Sequence, residues 1–185
     1  GLASILTAVG RWDGHEDIDT LASTVPKPFS EEALAELGER LDLALDLPVL
    51  DDVLVSIDGP DPVEIDDAVW VVDEGESLLL TVAIASPTVF VPSDGVLDAE
   101  IRKRAATLYH PRYLRPMLPA KLLEKTSLDA GERRPAVVTR IRLDASGVPT
   151  LVDLRHGLVT VERAVTYAEV DAGLKKFAST ASPTT

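Results

Sequence analysis

The stretch Val53-Leu54-Val55-Ser56-Ile57-Asp58-Gly59-Pro60-Asp61-Pro62-Val63-Glu64-Ile65-Asp66-Asp67-Ala68-Val69-Trp70-Val71-Val72 sets two apolar, β-branched runs on either side of an acidic loop. Val53–Ile57 and Ala68–Val72 have the composition of strands, since branched and aromatic side chains fit a pleated surface. Between them Gly59, Pro60 and Pro62 cannot all sit in regular structure, and the fixed φ of proline stiffens the connection. Asp58, Glu64, Asp66 and Asp67 lie on or beside that loop. If they converged at about 6 Å with an effective dielectric near 20, each ionised pair would repel by roughly 3 kcal/mol. A fold avoids such an arrangement unless a cation compensates it. An all-oxygen donor set on a rigid loop suits Mg²⁺, which is usually held by a few carboxylates plus waters or substrate phosphate. The spacing does not fit an EF-hand, which wants alternating acids, a central Gly and a distal Glu. Spacing alone leaves a solvated acidic loop as the alternative.

Outward from this stretch the β texture continues in Leu78–Ile84, Ala136–Asp144 and Thr150–Val161. Glu74-Gly75-Glu76 and Ala145-Ser146-Gly147 are placed as hairpin connectors. Leu97, Ile101, Ala105 and Leu108 recur at helical spacing, which predicts an amphipathic helix over Leu97–Leu108. Upstream, Ser30 followed by Glu31 and Glu32 is an N-cap with an acidic first turn, and Leu34, Leu37, Leu41 and Leu45 share a helical face. The pattern predicts an α+β fold, a mostly antiparallel sheet with packed helices. It divides into a helical lead-in over 1–50, the sheet-forming unit over 51–172 and a polar tail over 173–185.

The 185 residues are 45% hydrophobic, enough for one good core. No run of 18 apolar residues exists and the first residues lack a signal-peptide pattern, so neither membrane insertion nor export is expected. The expected location is the cytoplasm or an organelle matrix. The missing initiator Met and the polar end Ala178–Thr185 read as a piece of something longer. Zero cysteines exclude disulfides, thiolate metal sites and a cysteine nucleophile. A net charge of −13 argues against a free-standing nucleic-acid binder. The charge is uneven, however: Arg102, Lys103, Arg104, Arg112, Arg115, Lys121, Lys125, Arg133, Arg134, Arg140 and Arg142 crowd one region while most acids precede residue 77. An acidic metal site beside a basic track suits a phosphodiester substrate; two solvated surfaces of opposite sign are the alternative.

The string Val55–Gly59 continued by Glu64–Val69 resembles the first signature of the RNB catalytic domain of the ribonuclease II/R family. Further segments continue the likeness in order: Val82–Thr88, Arg104–Tyr109 with Pro116–Pro119, and Ser127-Leu128 with Arg134–Ala136. The lead-in Gly10–Glu16 and Phe29–Glu32 is similar as well. The resemblance implies a processive 3′-to-5′ exoribonuclease that hydrolyses single-stranded RNA with Mg²⁺ to nucleoside 5′-monophosphates. It implies that Asp58, Glu64 and Asp67 hold metal, that Asp66 is the carboxylate most critical to the chemistry beside Asp58 and Asp67, and that Tyr109 lies against the 3′-terminal nucleotide. Arg104, Arg112 and Arg115 are the basic residues expected to line the RNA path.

The chain departs from the family pattern at Glu64 and Ser86, where aspartates are usual. It also matches only the first half of the family domain; the later half supplies the RNA channel and a catalytic arginine. Two expectations follow. The chain is the first half of an active exoribonuclease, completed by a missing C-terminal half or by a second chain; or it is a degenerate, non-catalytic RNB-like domain serving as a structural or interaction subunit. An unrelated metal-binding module is the residual alternative. His15, His110 and His156 are too scattered for a zinc site, and no Gly-x-Ser-x-Gly elbow or phosphate-binding Gly loop is present. Trp12 and Trp70 are expected to be packing residues.

Overall fold

The computed structural model describes residues 2–10, 28–110 and 113–180, and its central sheet grows from the two runs that flank the acidic loop. The strands are β1 (Val55–Asp58), β2 (Asp67–Asp73), β3 (Ser77–Ala85) and β4 (Leu108–His110). They continue with β5 (Tyr113–Arg115), β6 (Arg133–Asp144), β7 (Pro149–Thr160) and β8 (Arg163–Thr166). Six form one sheet in the order β7-β6-β3-β2-β1-β8, antiparallel except where β8 runs parallel to β1; β4 and β5 pair separately. The α+β, mostly antiparallel expectation holds. Both expected hairpin turns form, with Gly75 at φ +89 and Gly147 at φ +78, a conformation glycine takes without strain.

The register decides which face is buried. Ala68 lies opposite Ala83, and Ala83 opposite Val138. These three join Leu54, Ile65, Leu128, Ala136, Val159 and Val161 in one core. The small alanines on that row leave room for Ile65 and Leu128 to close over the sheet. The rows between carry Val69, Val82, Thr139 and Leu154, then Val71, Leu80, Ile141 and Leu151, on the other face. There Val71, Ile84, Leu151 and Leu154 stay 48–63% exposed.

The helices are α1 (Leu2–Ala8), α2 (Glu31–Gly38), α3 (Val96–Arg104), α4 (Ala120–Thr126) and α5 (Tyr167–Thr180). Ser30 Oγ accepts the Ala33 N–H at 3.1 Å, so the predicted N-cap forms. α2 nevertheless stops at Gly38; Leu41 and Leu45 reach the second core from irregular chain, and Leu34 faces solvent. That core gathers Ala33, Leu37, Phe90, Leu97, Leu118, Leu122 and Leu123. α3 is shorter than the predicted Leu97–Leu108 because Ala105 turns left-handed at φ +61, which ends the helix and releases Leu108 into β4. At the C-terminal side α5 runs across the expected boundary at residue 172. Its start is a capping box: Thr166 Oγ1 accepts the Glu169 N–H, and the Glu169 carboxylate accepts the Thr166 N–H at 2.7 Å.

Two contacts tie the segment before β1 to the sheet. The Leu50 N–H donates to the Leu158 carbonyl on β7 at 2.9 Å and the Leu158 N–H donates to the Pro48 carbonyl at 2.8 Å, and Gly157 permits the approach, since a Cβ there would fall 2.6 Å from the Pro48 carbonyl oxygen. The Asp52 carboxylate, 3% exposed, accepts from Arg140 on β6 and from Arg155 on β7.

Candidate functional site

Asp58 closes β1 and Asp67 opens β2, so neighbouring strands deliver one carboxylate each to the same end of the sheet. The loop between them is pinned by Ile65. Its side chain is 6% exposed in the first core, its N–H donates to Ser127 Oγ at 3.1 Å, and its carbonyl accepts the Leu128 N–H at 2.9 Å. With Ile65 drawn inward, its neighbours Glu64 and Asp66 both line an open cavity of about 350 Å³. The left-handed end of α3 and the start of β4 form the other wall, through Ala105, Ala106, Thr107 and Tyr109, with Met117 and Leu118 beyond.

The electrostatics of this end of the sheet are those of crowded acids. Asp66 holds its proton above the ordinary aspartate range, first through burial and then through the charges of Glu64, Asp67 and Asp58. Asp58 is raised by burial and by Asp67. Glu64 meets two hydroxyls: Thr107 Oγ1 donates to its Oε1 at 3.1 Å and Tyr109 Oη donates to the same oxygen at 3.3 Å. Burial, and then the Glu64 charge, push the Tyr109 phenol upward. The Tyr109 ring remains 65% exposed.

The four acids are therefore within electrostatic reach but not assembled. Among the described residues no three Asp, Glu or His side chains converge as a ready coordination shell. Like charges stand apart when nothing bridges them. The donor set still fits a hard divalent cation: it is all oxygen, and Asp66 feels three other carboxylates.

The basic residues behave differently from their expectation. Arg104, with a side chain 1% exposed, stacks 3.7 Å over the Phe29 ring and donates to the Pro28 carbonyl at 2.9 Å. Its charge is spent inside the fold, and Arg115 is likewise 6% exposed. Both side chains are therefore buried rather than laid open on the surface, and the Arg104 guanidinium is held by the Phe29 ring and the Pro28 carbonyl. Arg112 lies outside the described residues. Elsewhere on the basic track Arg102 pairs with Asp98, Arg134 with Glu132, Arg140 with Asp52 and Arg142 with Glu74. Ser86 is buried one residue beyond the Ala85 N–H to Asp66 carbonyl bond; its Oγ lies 3.0 Å from His156 Nε2 and 3.2 Å from Thr88 Oγ1. Trp70 is 40% exposed on the sheet rather than packed in a core.

Sequence reasoning missed Thr107 and the anchoring role of Ser127. A signal for Thr107 existed: it stands two residues before Tyr109 in an extended segment, where alternate residues share a side.

The site is thus an acidic loop between two strands of a mixed sheet, walled by a tyrosine-bearing hairpin. The RNB domain model matches residues 48–184, and the chain belongs to that family. Exoribonuclease 2 of Edwardsiella piscicida is 45% identical over 129 residues, covering 69% of this chain and 19% of that protein. Mycoplasma genitalium RNase R, solved with ribose-methylated single-stranded RNA, superposes with a TM-score of 0.74 at 23% identity over 85% of this chain and 26% of its own. Yeast Ssd1, described as a pseudonuclease, superposes with a TM-score of 0.59 at 20% identity, over 86% of this chain and 19% of its own. The chain thus spans about a fifth of the length of the curated relatives it matches.

Proposed function

We propose that this chain forms the first part of the catalytic domain of a Mg²⁺-dependent 3′-to-5′ exoribonuclease, which hydrolyses single-stranded RNA to nucleoside 5′-monophosphates in the cytoplasm or an organelle matrix. The observation that carries the reading is Asp66, lining the cavity within the field of Glu64, Asp67 and Asp58. Asp58, Glu64 and Asp67 would hold the cation, which when bound supplies Lewis acidity toward a phosphodiester. Asp66, which lines the same cavity between those ligands, is the carboxylate that the family resemblance makes most critical to the chemistry. Tyr109 offers an exposed ring for stacking on the terminal base, and its Oη bond to Glu64 fixes that ring beside the acids.

The rest of the domain, in the same protein or as a second chain, completes the RNA channel. Its need is supported by the open apolar sheet face around Val71, Ile84, Leu151 and Leu154, and by the commitment of Arg104 inside the fold. The second reading, a degenerate domain in a larger assembly, is favoured by Glu64 and Ser86 and by the likeness to a pseudonuclease. Digestion of 5′-labelled single-stranded RNA by the protein purified from its native cells, with Mg²⁺ or EDTA, separates the two. A Mg²⁺-dependent ladder shortening from the 3′ end and lost in Asp66→Asn supports the nuclease; no cleavage, even after Glu64→Asp, supports the degenerate domain.

A further inference from the structure

We propose that Thr107 is a positioning residue that presents the Glu64 carboxylate to the divalent cation; this rests on the metal-site reading above and names how the chain accommodates a glutamate there. Glu64 has one more rotatable bond than an aspartate, and Mg²⁺ demands near-octahedral ligands at about 2.0–2.1 Å, so an unguided longer side chain would present its oxygen poorly. Two hydroxyls converge on Oε1, from Thr107 at 3.1 Å and Tyr109 at 3.3 Å, while Oε2 takes part in neither bond. The Thr107 hydroxyl is itself directed. Its oxygen accepts the Met117 backbone N–H at 3.1 Å, so its single proton is left for Glu64. Branching at Cβ restricts the Thr107 rotamer, and the residue is half-buried in the cavity wall. Backbone, hydroxyl and carboxylate form a short chain that holds one oxygen and frees the other. Partners of this kind, one step removed from a metal, govern about 10–100-fold in affinity or activity.

The test measures Mn²⁺ binding by electron paramagnetic resonance in the whole protein as it occurs in its cells, with the rest of its domain, as wild type, Thr107→Val, Thr107→Ser, Glu64→Asp and the Thr107→Val/Glu64→Asp pair, with unfolding midpoints measured alongside. Thr107→Val weakens Mn²⁺ binding by about 10-fold or more at an unfolding midpoint close to wild type, and Thr107→Ser restores it. In the Glu64→Asp background the same substitution changes binding by less than about threefold, because the shorter carboxylate is out of the hydroxyl's reach. In RNA digestion the loss in kcat recovers at high Mg²⁺. Equal Mn²⁺ binding by wild type and Thr107→Val, or an equal loss in both backgrounds, overturns the positioning role while leaving the metal site intact. Absence of Mn²⁺ binding by the wild-type protein overturns both.

Discussion

Replacing Ile65 with alanine severs the anchor that sets Glu64 and Asp66 in the cavity. Ile65 is 6% exposed among Leu54, Ala68, Leu128 and Val159. Ile→Ala removes about three methylene equivalents, worth roughly 2.4 kcal/mol at about 0.8 kcal/mol each. A residual cavity adds to this, and buried Ile→Ala changes span about 2–5 kcal/mol. The site is closed on one side by a loop, which can settle inward, so the expected loss is about 3 kcal/mol. The two backbone bonds at Ile65, to Ser127 Oγ and from Leu128, place the loop only while the side chain is seated. Urea unfolding followed by circular dichroism reads the stability, and Mn²⁺ titration reads the site. Ile65→Val is expected to cost about 1 kcal/mol and leave Mn²⁺ affinity unchanged, whereas Ile65→Ala lowers both. A loss below about 1 kcal/mol for Ile65→Ala, with the Mn²⁺ affinity of wild type, would refute the anchoring argument.

Asp52→Ala leaves Arg140 and Arg155 without their shared carboxylate; because those arginines are 37% and 30% exposed, the expected cost is about 2–3 kcal/mol rather than the larger penalty of a fully buried pair, read by thermal and urea unfolding. Arg104→Ala lowers stability by about 2–3 kcal/mol through lost stacking on Phe29 and an abandoned Pro28 carbonyl, while RNA affinity of the folded fraction, measured by filter binding, stays within about twofold. Asp66 and Asp58 bind protons more tightly folded than at the ordinary aspartate value of 3.8, so the native state carries more protons than the unfolded one and metal-free stability falls as pH rises through that window. Asp66→Asn therefore raises the unfolding midpoint at neutral pH, gives no gain at pH values well below 3.8, and loses its advantage when Mg²⁺ is added.

Much of this arrangement was legible in local chemistry. The strands at β2, β3, β6 and β7 follow from branched residues bounded by glycine turns, and Ser30 announces its helix by capping chemistry. The acidic residues of the loop could be read as one group because prolines hold them between two strands. What escaped depends on tertiary placement. The leucine spacing over Leu34–Leu45 is helical, yet the chain leaves the helix at Gly38 and still seats Leu41 and Leu45. The end of α3 turns on a left-handed alanine, which no side-chain preference announces. Arg104 looked like a surface cation because charge says nothing about burial; only packing against Phe29 reveals its place. The Thr166-to-Glu169 box was present in the sequence and marks the start of α5. Thr107 had its place two residues before Tyr109 as a signal, but its bond to Glu64 emerges only with the cavity wall formed.

The central claim is that Asp58, Glu64 and Asp67 share a divalent cation beside Asp66. Crystals of the protein soaked in Mn²⁺ and measured at the manganese absorption edge test it most directly. The account predicts an anomalous peak bonded to carboxylate oxygens of all three residues, at distances close to the roughly 2.1 Å expected for a hard octahedral cation. A peak elsewhere with none at these residues, under saturating Mn²⁺, would contradict it.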